Sequence, residues 1–113
     1  MSLAPSSFFE SDKTGNTETI TLASATSGAT TNALIGSAFY GKDTSGTPAA
    51  ATVSADKKSV TITVLLGVNA LVVTAVSPDS GLAIVQLVQG ATVLSKFTIA
   101  GHSGVSTIFI QGT

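Results

Sequence analysis

The one imidazole of the chain, His102, stands beside a hydroxyl in Gly101-His102-Ser103-Gly104. A histidine that activates a serine is the chemistry of acyl transfer, but it needs base and nucleophile brought together from separate segments. Neighbours in a tight turn rarely point their side chains at each other, and Val105 after Gly104 breaks the G-x-S-x-G pattern. His102 therefore reads as a turn residue without catalytic duty. Asp12, Asn16 and Glu18, grouped around Gly15, form a second set. Calcium takes oxygen ligands from such loops. The spacing is not that of the Asp-x-Asp-x-Asp-Gly loop, however, and Lys13 brings a cation into the group. A solvated hairpin is expected there, with no metal.

Asp43, Asp56 and Asp79 occupy turn positions, where a carboxylate accepts nearby backbone hydrogen bonds. Glycoside hydrolysis would need two of them across a cleft, and nothing in the sequence suggests one. The sharper possibility is a binding loop. Tyr40 precedes the polar stretch Gly41–Pro48, so an aromatic ring could stack on a ligand beside hydrogen bonds from Lys42 and Asp43. Asp79, in the turn Ser77–Gly81, belongs to a second such loop. Tyr40, Lys42, Asp43 and Asp79 are thus the candidate ligand residues, for a glycan or a peptide. The competing reading puts Phe39 in the core and Tyr40 at the rim, with a wet hydroxyl. None of Asn16, Asn32 and Asn69 has Ser or Thr two places on, so the chain offers no N-glycosylation acceptor.

Composition narrows the functions further. The 113 residues include no Cys, Trp or Arg, and only 10% are charged, against about 25% in ordinary domains. Net charge is −1, from five Lys and six carboxylates, which leaves no basic footprint for nucleic acid. Without Cys there is neither a disulfide framework nor a thiolate metal site. Titratable groups this few and scattered predict a protein that is not an enzyme and holds no cofactor. A mean hydropathy of +0.49 beside so little charge predicts neutral or apolar surface, hence self-association or docking to a larger assembly.

Two segments invite a targeting or membrane reading. The opening Met1-Ser2-Leu3 lacks the basic and apolar regions of a signal peptide. Ser59–Pro78 runs 20 residues without a charge. Its β-branched alternation, its interruption at Gly67 and Asn69 and the lack of an aromatic belt predict strands, with no membrane insertion.

The elements that must position these residues are short alternating runs. Residues 1–16 read as a loosely attached arm and residues 17–113 as one domain. Thr17–Ala23 places Ile20 and Leu22 on one face and Thr19 and Thr21 on the other. Ser24–Asn32 is a loop or a poorly specified edge. Ala33–Tyr40 is a strand with a bulge at Gly36. Ser59–Leu66 alternates most clearly, with Val60, Ile62, Val64 and Leu66 on one face. Ala70–Val76 is apolar on both faces. Leu82–Val88 and Ala91–Ala100 flank a Gln89-Gly90 hairpin, and Val105–Gln111 closes the domain.

The expected core is Val60, Ile62, Val64, Leu71, Val73, Ile84, Leu87, Phe97, Ile99, Ile108 and Ile110. Seven to nine strands with frequent turns and no helical periodicity describe an all-β sandwich or small barrel, and the expected fold is an immunoglobulin-like or jelly-roll-like β-sandwich.

The run Ala51-Thr-Val-Ser-Ala-Asp-Lys-Lys-Ser-Val-Thr-Ile-Thr, then Asn69-Ala-Leu-Val-Val-Thr-Ala-Val and Pro78-Asp-Ser-Gly, resembles the middle of bacterial and phage immunoglobulin-like domains. The resemblance covers about a third of the chain through generic strand and turn residues, and carries no functional residue over. It implies a spacer or adhesive decoration of a virion or cell surface. The expected function is a non-enzymatic structural or assembly module, whose contact edge lies near Ser24–Asn32. The alternative is a small glycan- or peptide-binding module using loops 40–48 and 77–81.

Overall fold

The computed structural model describes residues 9–25, 32–41, 51–77 and 82–113. They form nine strands: β1 (Phe9–Asp12), β2 (Thr17–Ser24), β3 (Leu34–Gly41), β4 (Ala51–Val53), β5 (Ser59–Thr63), β6 (Gly67–Val76), β7 (Leu82–Gln89), β8 (Thr92–Ala100) and β9 (Ser103–Gly112). The fold is all-β, and no helix is present among the described residues. The uncharged stretch after Lys58 supplies β5 and β6, and no helix there is long and apolar enough to cross a membrane.

The strands join in one sheet, ordered β3-β6-β9-β8-β7-β2-β5-β4, with β1 paired in parallel to the end of β9. All other neighbours are antiparallel. The two ends of this order, β3 and β4, come back against each other. The turn after β4 reaches across the seam: Ile35 N–H donates to Lys57 O at 2.8 Å, and Lys58 Nζ to Ala33 O at 2.8 Å. The sheet is therefore a nearly closed barrel, where the sequence suggested two stacked sheets. Alternation specifies which side chains point inward, but an inward face looks the same in a sandwich and in a barrel. Closure is decided at the corners.

One corner is legible in a glycine. β8 and β9 share a single registered pair, Ala100 with Ser103, and then part. A Cβ at Gly104 would collide with the Thr98 carbonyl oxygen, so only glycine lets the two backbones cross there. Beyond the crossing, Phe109–Gly112 of β9 pairs with β1. Phe9–Asp12, expected within the arm, is thus hydrogen-bonded to the barrel, while residues 1–8 lie outside the described residues.

Inside, period-2 alternation puts Ile20 and Leu22 of β2, Val60 and Ile62 of β5, Leu71 and Val73 of β6 and Ile108 and Ile110 of β9 in the core. Ten of the eleven expected core residues are buried. Ile84 is the exception at 48% exposed, because Val85 and Leu87 are the inward residues of β7. Leu66 is a second correction at 69% exposed: β5 ends at Thr63, and the chain turns before Leu66 can continue its phase. The bulge at Gly36 falls as expected, with a register shift between Ile35 and Ser37.

Candidate functional site

Tyr40, the anchor of the expected ligand loop, is 1% exposed and cannot offer a ring face to a ligand. The phase of β3 pairs Tyr40 with Leu71 on the inner face and Phe39 with Val72 on the outer one, the reverse of the expected order. Its hydroxyl is not wet. It accepts from the Leu65 N–H at 3.3 Å. Burial raises the Tyr40 pKa, the Leu65 N–H works against that, and the nearby Glu18 charge adds to the rise. Lys42, Asp43 and Asp79 lie outside the described residues.

Around Tyr40 sits a polar cluster that corrects the sequence reading: Glu18, expected with Asp12 and Asn16 in a solvated hairpin, is buried. Glu18 is buried in phase with Ile20 and accepts from Gln89 Nε2 at 3.2 Å. Asn69 is buried in phase with Leu71, its Nδ2 donating to Leu65 O at 3.1 Å and Gly67 O at 3.3 Å. The signal was available, since both residues occupy inward positions of their strands. Asp12 joins from the rim: a hydrogen bond with the Glu18 carboxyl, then the Lys13 N–H and the Asn16 amide, hold its carboxyl below the usual aspartate range. These contacts tie β1 to β2 and β2 to β7, and tie Asn69 of β6 to the Leu65–Gly67 segment that leads into its own strand. No group of three or more potential metal ligands occurs among the described residues.

His102 and Ser103 do not face each other as base and nucleophile. His102 Nδ1 lies 3.1 Å from Ser77 O, and the Ser77 N–H donates to His102 O at 2.9 Å, so the β8–β9 hairpin is latched to the end of β6. Asp56 fixes the β4–β5 turn: it accepts from Ser54 Oγ at 2.5 Å and from the Lys58 N–H at 3.1 Å, and both bonds depress its pKa.

The outer surface divides sharply. Along β2, β5 and β4 the outward residues include Thr17, Thr19, Thr21, Ser59, Thr61, Thr63 and Thr52, in registered cross-strand pairs. Thr19 and Thr61 hydroxyls meet at 3.2 Å. Such pairs stabilise a wet face. On the opposite strands the outward residues are of another kind. β6 presents Val68, Ala70, Val72, Thr74 and Val76, flanked by Val105, Thr107 and Phe109 of β9 and by Leu34 and Phe39 of β3. Val68 is 53% and Val105 56% exposed. Among the described residues no charged side chain points outward from β3, β6 or β9. Of the expected contact edge near Ser24–Asn32, Ser24 pairs with Val85 in a β2 flanked by β5 and β7, and residues 26–31 lie outside the described residues. No protein-family model, curated protein or solved structure matches this chain, so the functional reading rests on its own geometry.

Proposed function

We propose that this chain is a non-enzymatic structural module that assembles with other protein subunits, in a virion or cell-surface setting. The observation that carries the reading is the uncharged, largely apolar outer face of β3, β6 and β9. An apolar sheet face is stable in water when something covers it, and contiguous patches of this kind mark protein contacts. The opposite, hydroxyl-bearing face needs no cover. Support for the absence of catalysis comes from the use of the described ionisable groups: Asp12, Glu18, Asp56 and Lys58 hold strands and turns, and His102 latches a hairpin. The setting rests on the resemblance of Ala51–Thr63 and Asn69–Val76 to bacterial and phage immunoglobulin-like domains.

Light scattering on the purified chain over a concentration series tests the reading. A mass above that of one chain, rising with concentration to a plateau, is expected. A strict monomer at high micromolar concentration would overturn self-assembly and promote the binding module built on residues 40–48 and 77–81.

A further inference from the structure

We infer that the outer face of β3, β6 and β9 is covered by the same face of a second copy of this chain, packed sheet on sheet about a twofold axis. The inference rests on the assembly reading above and names its partner and its contact. The chemistry of the face excludes most occupants. With Leu34, Phe39, Val68, Val72, Val105 and Phe109 outward and no charged side chain among the described residues, it has nothing to pair with an acidic or basic partner. What complements it is another uncharged apolar sheet. A second copy brings one, and with a net charge of −1 two copies meet with little repulsion.

The size suits a weak, concentration-dependent dimer. β6 and β9 each span 10 residues and β3 spans eight. At about 3.3 Å per residue and about 4.8 Å between strands, their projected area is roughly 440 Å² per copy. Two copies would bury about 900 Å², just below the size of a standard specific interface and within the range of weak, reversible ones. A twisted sheet packs on another about 10 Å away with strands about 30° apart. A contact made by one patch with itself closes as a dimer and cannot run on into a fibre. The centre of the patch is Val72, midway along β6 between Phe39 of β3 and Thr107 of β9. Val72 then lies next to the twofold axis, facing its own copy.

This placement can be tested cleanly because the chain has no cysteine. In sedimentation velocity, V72K and F109K should raise the dissociation constant at least tenfold while leaving far-UV circular dichroism unchanged. Ile84→Lys, outward on β7 and away from the patch, should leave it within twofold. V72C should be joined to its copy by a short bismaleimide that spans the gap between the sheets, and this readout does not depend on a lysine being tolerated. A wild-type oligomer that survives V72K and F109K, with no cross-linked V72C dimer, would overturn the contact proposed here and leave assembly through another surface standing. A wild-type chain that stays monomeric would overturn self-assembly through any surface, this contact included.

Discussion

Tyr40 carries the largest buried side chain of the core, and its hydroxyl satisfies a backbone N–H that no strand pairs. Tyr40→Phe keeps the ring and leaves the Leu65 N–H without its acceptor, at a cost of about 1–3 kcal/mol. The pH dependence follows from the raised pKa. A folded value above the unfolded one means that the protonated tyrosine contributes stability below the ordinary tyrosine range. That contribution disappears as pH rises through the folded value. Denaturant melts should show an alkaline loss in the wild type that Tyr40→Phe lacks.

Gly112 makes a stricter demand. A Cβ there would strike the Leu65 carbonyl oxygen, which is backbone and cannot rotate away. Gly112→Ala should destabilise by at least about 1–3 kcal/mol through overpacking, read as a lower unfolding midpoint. His102→Ala, by contrast, removes an exposed hairpin contact and should change the midpoint by no more than about 0.5 kcal/mol.

At the scale of elements, alternation made much of this barrel legible. Ile62 sits where the phase of Ser59–Thr63 puts it, fully buried, and Ile62→Ala should cost about 2–5 kcal/mol. Phase alone failed where a strand was apolar on both sides. Ile84 and Val85 are equally good inward candidates by type, and the register of β7 against β2 and β8 decides for Val85. Phe39 and Tyr40 pose the same choice beside the Gly36 bulge. Glu18 and Asn69 failed for the opposite reason: polar types suggest exposure, and Glu18 was expected in a solvated hairpin with Asp12 and Asn16. Both phases are inward, where Gln89 donates to Glu18 and the Asn69 amide donates to the nearby Leu65 and Gly67 carbonyls. Closure was not legible at all, because the bonds across the seam join Ile35 and Ala33 to a turn more than 20 residues away.

That turn has its own signature. Asp56 titrates below the unfolded value, so its contribution is present above the ordinary aspartate range and lost as pH falls through the folded value. Unfolding midpoints should therefore drop between about pH 5 and about pH 2, and less steeply in Asp56→Asn.

For the whole molecule, the low charge of the sequence acquires a location. The described barrel is not evenly neutral. One side is a lattice of threonine pairs, and the opposite side is an apolar sheet. A surface divided in this way suits a subunit that keeps one face in water and hides the other against a partner. The force that closes such a contact is hydrophobic, and its response to salt differs from that of an ion-paired interface: added salt screens charge pairs and leaves apolar burial intact or strengthened.

Sedimentation equilibrium of the full chain at low and at about 1 M salt therefore tests the account most directly. It should return self-association at both, with an affinity equal or higher in the concentrated salt. Association that dissolves on adding salt, or a monomer under every condition, would contradict it.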